Sequence, residues 1–279
     1  MRELDTSIIV EEVSKLCIKA NLYLAEDLKK HIEDSAREEK SKLGQQVLEQ
    51  LIDNMKIADE NRIPICQDTG MAVFFVNVGQ DLHINGNLTD AINEGVRKGY
   101  TEGYLRKSVV KDPILRENTK DNTPAIIHYD IVPGDKLEIT IAPKGFGSEN
   151  MSRLFMLKPA DGVEGIKKAV ITTVSEAGPN ACPPFVVGVG IGGDFELSAK
   201  LAKKALTRNI SERSNLQHIK ELEEELLSEI NQLGIGPAGL GGSTTALAIN
   251  IETYPTHIAG MPVAINMCCH VDRHASVTL

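Results

Sequence analysis

The sequence lacks tryptophan, an excess of basic residues and any long apolar run. Its 279 residues contain only 4% aromatic residues, so side chains on which nucleobases could stack are scarce. The formal net charge of -9 argues against binding to nucleic acid or to an anionic membrane surface, because both depend on clustered Lys and Arg. No stretch approaches the ~20 apolar residues of a membrane span, and the N-terminal segment has no apolar signal core. We therefore predict a cytoplasmic protein that binds neither nucleic acid nor membrane.

The five cysteines have neither the even number nor the close spacing of a disulfide framework, and they favour a reducing compartment. Three of them lie beside polar or turn-forming residues: Cys66 in Ile-Cys-Gln-Asp-Thr-Gly, Cys182 in Asn-Ala-Cys-Pro-Pro and Cys269 in Met-Cys-Cys-His. A [4Fe-4S] cluster normally takes four thiolates, so three would leave one iron open, as catalytic metal sites require. The other interpretation is that these are ordinary buried cysteines; we accept it for Cys17, and Cys268 is either a packing residue or a ligand.

The apolar pattern predicts a mixed α/β (α+β) fold, with a helical segment over residues 1–60 packed on mixed β-sheets. We predict a single domain over 1–279, with three distant segments supplying the cluster-binding loops. Predicted strands cover 71–78, 125–132, 136–142, 185–191, 245–251 and 259–267, and predicted helices cover 89–107, 162–177, 198–206 and 216–233. Pro133-Gly134-Asp135 indicates a hairpin, 144–150 a flexible loop and 234–242 an irregular glycine-rich loop. The acidic residues Glu221, Glu223, Glu224 and Glu225 are predicted to form a solvated helix face.

Gly188, Gly190 and Gly193 satisfy the Gly-x-Gly-x-x-Gly pattern of dinucleotide-binding proteins. That pattern also requires an acidic residue about twenty positions later at the end of a strand. Here that position falls near Glu212, in a polar segment with no strand before it. We therefore interpret the three glycines as sites of close backbone packing.

Four motifs in order carry a more specific resemblance. They are Cys66-Gln67-Asp68-Thr69-Gly70, Lys144-Gly145-Phe146-Gly147-Ser148-Glu149-Asn150, Asn180-Ala181-Cys182-Pro183-Pro184 and Cys269-His270. Together they resemble the alpha subunit of class I, iron-sulfur-dependent fumarate hydratases and L-tartrate dehydratases, over essentially the whole chain. The second motif departs from the usual family form, which has a small residue where Phe146 stands.

The resemblance implies a [4Fe-4S] cluster held by Cys66, Cys182 and Cys269, whose open iron binds the substrate. It implies a hydro-lyase that reversibly hydrates fumarate to L-malate, a reaction of the tricarboxylic acid cycle. It also implies a separately encoded beta subunit that completes the active site, and a heterotetramer in which two alpha/beta pairs associate. The same-class alternative is L-tartrate dehydratase; a non-enzymatic iron-sulfur sensor and a structural zinc protein are alternatives from other classes.

By the same resemblance, Asp68 is the candidate proton-transfer group, and Gln67, Arg106, Gly147 and His257 are candidates for substrate binding. An Arg side chain can grip a carboxylate in two hydrogen bonds, although a surface charge at a helix end is the other interpretation of Arg106. For His257 the other interpretation is a buried structural histidine. Four polar residues after Cys269 are expected to support the cluster ligands or to contact a partner: His270, Asp272, Arg273 and His274.

Overall fold

The computed structural model describes residues 2–279, which form a mixture of helices and strands. The strands are β1 (Arg2–Asp5), β2 (Met71–Gly79), β3 (Leu82–Asn85), β4 (Ile126–Val132), β5 (Leu137–Lys144), β6 (Arg153–Leu157), β7 (Phe185–Gly193), β8 (Ala246–Thr256), β9 (Met261–Cys268) and β10 (Ala275–Thr278). The helices are α1 (Thr6–Leu22), α2 (Glu26–Glu38), α3 (Lys42–Asn61), α4 (Leu88–Glu102), α5 (Phe146–Glu149), α6 (Gly162–Ala177), α7 (Phe195–Ala205) and α8 (Gln217–Gln232). The mixed α/β class and the helical opening are thus confirmed. Over residues 2–279, none of the helices has the length and apolar character needed to cross a membrane.

The contacts within the chain divide it into two compact units. Unit 1 consists of the chain up to Leu24 together with Ile57–Phe146 and Arg273–Leu279. Unit 2 consists of Ala25–Lys56 and Gly147–Asp272. The single domain expected over 1–279 stays a prediction.

Unit 1 contains a four-stranded sheet in the order β10-β5-β2-β4. Strand β2 lies inside the sheet, pairing parallel with β4 and antiparallel with β5, which explains why its sequence is almost continuously apolar. Helices α1 and α4 cross closely where α4 has Gly95. A Cβ added at Gly95 would lie only 2.6 Å from the Val13 side chain of α1, so the crossing requires glycine. The core of the unit gathers apolar residues of these helices and strands, among them Ile9, Phe74 and Ile139.

The predicted hairpin between β4 and β5 is wrong. The turn at Pro133-Gly134-Asp135 is present, but β2 lies between the two strands, and each of them pairs with β2 instead. The turn therefore connects two strands that are separated by β2, and it passes the end of β2. There Gly134 O accepts a hydrogen bond from Asp81 N at 2.9 Å. Local turn chemistry identified the reversal of the chain, but it could not show which strand fills the gap.

Unit 2 contains a second four-stranded sheet, in the order β6-β9-β7-β8. Alternate residues of β7 face opposite sides: Val187 and Val189 belong to a core shared with α6 and α8. Gly188 and Gly190 face α7, where an added Cβ would lie 2.1 Å from the backbone oxygens of Ala202 and Ser198, respectively. The glycines thus allow a helix to lie directly on the strand, which confirms the close-packing interpretation.

Glu223 corrects the prediction that α8 carries a fully solvated acidic face. Its side chain is fully buried, where it pairs with Arg208 and accepts hydrogen bonds from Ile251 N at 2.8 Å and Ser214 N at 3.0 Å. Burial of a carboxylate is tolerated because it is paired and hydrogen-bonded. The other three acidic residues, Glu221, Glu224 and Glu225, are exposed as predicted.

The glycine-rich loop 234–242 is irregular as predicted, apart from a 3₁₀ turn at Pro237–Gly239. The segment that follows it is anchored to a buried carboxylate, Glu39, which the sequence did not single out. Glu39 accepts hydrogen bonds from Ser243 N at 2.8 Å, Ser41 N at 2.9 Å and Thr244 N at 2.7 Å. Burial acts to raise the pKa of Glu39, but these hydrogen bonds outweigh it and lower the pKa to about 2.

Candidate active site

The first cysteine motif forms an irregular loop in unit 1, before β2. Cys66 is half-buried, and its thiol donates to Oε1 of the exposed Gln67 across 3.7 Å. Ile65 N donates to Asn21 O at 3.0 Å, which fixes the start of the loop to the end of α1. The loop thus presents a thiol and an amide side chain from a fixed base.

Buried polar residues hold the end of this loop. The Tyr100 hydroxyl donates to Thr69 O at 2.9 Å and to Gly70 O at 3.1 Å, and Asn122 Nδ2 donates to Gly70 O at 3.2 Å. Tyr100 and Asn122 are both fully buried. Burial raises the pKa of Tyr100 far above its usual range, so the phenol remains a neutral donor. Gly70 has a φ of +76°, which favours glycine.

Asp68 is half-buried, and both of its carboxylate oxygens accept backbone hydrogen bonds. Oδ1 accepts from Gly70 N at 3.0 Å, and Oδ2 accepts from Phe146 N at 3.0 Å. The carboxylate therefore ties the Cys66 loop to the beginning of α5. A carboxylate has about four lone-pair sites, so two remain for a proton or a ligand.

Arg106 lies on a loop, because α4 ends at Glu102 rather than at the predicted residue 107. Its backbone is fixed to the Cys66 loop: Arg106 N donates to Thr69 Oγ1 at 2.9 Å, and that hydroxyl donates to Arg106 O at 3.2 Å. The side chain is exposed. An exposed guanidinium on an anchored backbone is suited to recognising a carboxylate.

Arg273 is buried beneath the same loop, with 4% of its surface exposed. Its Nη2 donates to Asp68 O, and its Nε donates to Pro143 O at 3.3 Å. Nη1 is buried and finds no hydrogen-bond partner among the described residues. Sequence reasoning placed Arg273 in a supporting set, but it could not show that the residue is buried beside Asp68.

In unit 2, Cys182 follows the 3₁₀ turn Gly178–Ala181 and adopts left-handed backbone angles, with a φ of 54°. Its N–H donates to Pro179 O at 3.1 Å, and its side chain is exposed. Pro179 lies within the turn and Pro183 follows Cys182, so a proline restricts the backbone on each side of the thiol. The thiol therefore projects from a rigid turn at the protein surface.

Cys269 lies just beyond the end of β9 and is half-buried. The sheet register pairs Cys268 with Val186 of β7, which brings the chain after β9 to the end of the sheet where β7 begins. His270 Nδ1 donates to Cys182 O at 3.2 Å. This hydrogen bond joins the segment that contains Cys269 to the segment that contains Cys182. Burial lowers the pKa of His270, while its bond to Cys182 acts in the opposite direction.

The remaining two cysteines are buried. Cys17 is fully buried on α1, and burial raises the pKa of its thiol; Cys268 is 5% exposed within β9. All five cysteines lie in the described part of the chain, and none of them forms a disulfide. Over residues 2–279, no three His, Cys, Asp or Glu side chains gather in a way that could hold a single metal ion. The thiols that fit a cluster by accessibility are those of the motifs: Cys66 in unit 1, and Cys182 and Cys269 in unit 2.

The segment 144–150 is ordered by hydrogen bonds and is not the predicted flexible loop. Strand β5 runs to Lys144, which is 4% exposed, and α5 forms one helical turn. Lys203 Nζ lies 2.5 Å from Glu149 Oε1 and 3.0 Å from Asn266 Oδ1. Asn266 Nδ2 donates to Glu149 Oε2 at 2.7 Å. No sequence signal identified this network, because its members are far apart along the chain.

Gly147 and His257 are exposed positions of unit 2. Gly147 has nothing within 4 Å of the place where a Cβ would lie. His257 stands in the turn between β8 and β9, and its Nδ1 accepts a hydrogen bond from Ala259 N at 3.1 Å. The interpretation of His257 as a buried structural histidine is therefore wrong.

Comparison with known proteins places these motifs in a family. Residues 10–278 match the family model described as "Fumarate hydratase (Fumerase)". A protein of Methanocaldococcus jannaschii, provisionally named L(+)-tartrate dehydratase subunit alpha, is 45% identical over 96% of this chain and 96% of its own length. L(+)-tartrate dehydratase subunit alpha of Escherichia coli K12 is 32% identical over 96% of this chain and 90% of its own length. The chain therefore belongs to the fumarate hydratase (Fumerase) family of hydro-lyases.

Proposed function

We propose that this chain is the alpha subunit of a [4Fe-4S]-dependent hydro-lyase in which Cys66, Cys182 and Cys269 ligate the cluster. One observation carries the proposal. These three thiols lie outside the helices and strands and are exposed or half-buried, whereas Cys17 and Cys268 are buried. A metal ligand must be a thiolate, and burial in apolar surroundings disfavours that form. The donor set therefore fits a cluster held by three protein ligands.

The reaction needs two kinds of assistance, because hydroxide is a poor leaving group and the proton on the neighbouring carbon is weakly acidic. When bound, the cluster would supply a Lewis-acidic iron that stabilises charge on the departing hydroxyl, a contribution of several kcal/mol. Asp68 would transfer the proton, held in position by its hydrogen bonds from Gly70 N and Phe146 N.

The substrate carboxylates would be bound by exposed groups. Arg106 would grip one carboxylate through its guanidinium, and Gln67 would donate from its amide. Gly147 would offer its backbone N–H and His257 its ring nitrogen. All four residues are exposed to solvent, so a dicarboxylate could reach their donor groups.

Two substrates fit this chemistry equally well. The first is the pair fumarate and L-malate, and the second is L-tartrate, which has one more hydroxyl group. The names of the relatives from M. jannaschii and E. coli favour tartrate. Phe146 stands where the resembled family has a small residue; its side chain is 48% exposed and its N–H holds Asp68. A bulky group at this point is suited to select between substrates of different size.

A separate beta subunit would complete the enzyme, since the relatives are named as alpha subunits. We propose that alpha/beta pairs associate in twos and that the protein works in the cytoplasm, where thiols stay reduced.

The proposal is tested by coexpressing the chain with its beta subunit and purifying the complex without oxygen. Iron and sulfide analysis should give one four-iron cluster for each alpha subunit. Assays should include fumarate, L-malate and both enantiomers of tartrate. Turnover of malate or of L-tartrate selects between the two reactions. A cluster without turnover on any of them would favour the iron-sulfur sensor, and zinc in place of iron would sink the proposal.

A further inference from the structure

Arg273 is a buried cation whose hydrogen bonds do not neutralise it. Its two hydrogen-bond acceptors, Asp68 O and Pro143 O, are uncharged backbone carbonyls. Its third nitrogen, Nη1, is buried without a partner among residues 2–279. Arginine remains charged at all working pH values. Burial of such a charge without an opposite charge is strongly unfavourable.

Arg208, which is half-buried, contrasts with Arg273 in its charge partners, although its Nε is likewise buried without a hydrogen-bond partner among the described residues. Its guanidinium pairs with the fully buried Glu223 and, at 3.1 Å, with Glu252. Arg273 has no comparable pair. The carboxylate of Asp68, whose backbone oxygen Arg273 binds, already accepts two backbone N–H groups. Charge compensation for Arg273 is therefore incomplete within unit 1.

The surroundings of Arg273 indicate where the missing negative charge belongs. The carbonyl that Nη2 binds is that of Asp68, two residues after Cys66. A Cβ added at Gly145 would lie 3.2 Å from Asp68 Oδ2 and 3.8 Å from Arg273 Nη2. Gly145 thus lies beside both groups, and a side chain at this position would crowd the Asp68 carboxylate.

We propose that Arg273 is the charge partner of an anion bound beside the Cys66–Asp68 loop. Two sources supply such an anion under the proposed function, on which this inference rests: the thiolate-ligated cluster, or a carboxylate of the substrate. In both cases Arg273 provides positive charge and one hydrogen-bond donor, Nη1. A purely structural role would require only the bonds to the two carbonyls.

The test compares Arg273→Gln and Arg273→Lys with a matched control, Arg213→Gln, in the anaerobic alpha/beta complex. Arg213 is a suitable control because its Nη1 also donates to backbone carbonyls, those of Ile210 at 3.0 Å and Glu212 at 3.5 Å. Two readouts are measured: the rate of iron loss to a chelator without substrate, and KM separately from kcat. The thermal shift caused by fumarate, malate or tartrate is measured on the cluster-free protein.

If the cluster is the anion, Arg273→Gln should lose iron about 10- to 100-fold faster than wild type, the usual cost of removing a partner of a metal ligand. If a substrate carboxylate is the anion, iron loss should not change and KM should rise about tenfold or more. Arg273→Lys keeps the charge and should give an intermediate value in either case. It also provides the answer if Arg273→Gln does not fold.

The inference is overturned if both Arg273 variants match Arg213→Gln in iron retention and in KM. A wild-type complex without iron or turnover would instead contradict the proposed function. In that event, the cluster-free thermal shifts decide the matter. If a dicarboxylate raises the melting temperature of the cluster-free wild type and Arg273→Gln abolishes that rise, the anion site is supported. If no dicarboxylate raises the melting temperature of the wild type, the inference is overturned.

Discussion

The ammonium nitrogen of Lys203 lies 2.5 Å from Oε1 of Glu149, so that α7 is tied to the last residue of α5. Both side chains are largely buried, with 18% and 25% of their surfaces exposed. Asn266 of β9 bonds to both of them. This network determines where the turn that contains Gly147 lies in unit 2.

Replacing Lys203 with Met should therefore weaken both stability and substrate binding. The change leaves Glu149 charged and partly buried with one fewer partner, which should cost about 2 kcal/mol in the free energy of unfolding. We expect KM to rise more than kcat falls, because the turn rather than the chemistry is disturbed. Denaturant unfolding and steady-state kinetics measure the two effects. Lys204→Met is the control, since Lys204 is exposed on the same helix; equal effects from both variants would contradict the role of the ion pair.

Glu39 should make the folded protein sensitive to acid. Its pKa is lowered to about 2 from an ordinary value of 4.5. A lowered pKa stabilises the folded state fully above pH 4.5, and this stability is lost as the pH falls from 4.5 towards 2. Glu39→Gln should lower the free energy of unfolding by about 3 kcal/mol at neutral pH.

The pH dependence of unfolding between pH 5 and pH 2 should also become flatter in this variant. Urea unfolding at several pH values measures both effects. Glu38→Gln changes an exposed neighbour and should alter neither. If the free energy of unfolding of Glu39→Gln falls between pH 5 and pH 2 as steeply as that of wild type, other carboxylates control acid unfolding.

The adjacent thiols Cys268 and Cys269 should behave differently when each is replaced with Ser. Cys269 lies beyond β9 with an accessible side chain, whereas Cys268 is buried within the strand. We expect Cys269→Ser to lose iron and turnover together, because serine is a poor replacement for a thiolate ligand. Cys268→Ser should keep the cluster and lose only some stability. Iron content after anaerobic reconstitution is the measurement, and the reverse result would assign the ligand to Cys268.

Two glycines allow stability and function to be separated. Gly190→Ala would place a Cβ 2.1 Å from Ser198 O, a backbone atom that cannot move aside easily. We expect a loss of about 2 kcal/mol in the free energy of unfolding through overpacking. Gly147→Ala meets nothing within 4 Å, so its stability should be that of wild type. Alanine keeps the backbone N–H, and we expect KM for the dicarboxylate to rise because the added methyl group would crowd a substrate bound at that N–H. Thermal melts and kinetics on both variants test this contrast; a destabilised Gly147→Ala would contradict it.

Local patterns in the sequence predicted most helices and strands, because apolar periodicity follows directly from which face is buried. Strand pairing could not be predicted in the same way. The turn after β4 looked like a hairpin, but β2, which ends 47 residues before β4 begins (126 minus 79), occupies the position between β4 and β5. The burial of single charged residues could not be predicted from the sequence either. Glu223 has the same neighbours in sequence as the exposed acidic residues of α8, and its ion pair with Arg208 explains why it is buried.

Within the candidate site, the motifs identified side chains but not their supports. The accessible setting of Cys182 agreed with its prolines, because these restrict the backbone locally. The anchors of the Cys66 loop are Tyr100, Asn122 and Arg273, which approach it from three separate segments. Such contacts depend on tertiary packing, so no spacing rule identifies them.

The pairing of β10 with β5 has a consequence for synthesis on the ribosome. Ala275 of β10 lies opposite Ile141 of β5, and all of unit 2 beyond Gly147 is translated between these two residues. In a nascent chain that has emerged as far as β5, the edge of β5 that pairs with β10 therefore stays uncovered until β10 is synthesised. We expect that edge to be where chaperones engage the growing polypeptide, and where slowed translation would promote aggregation.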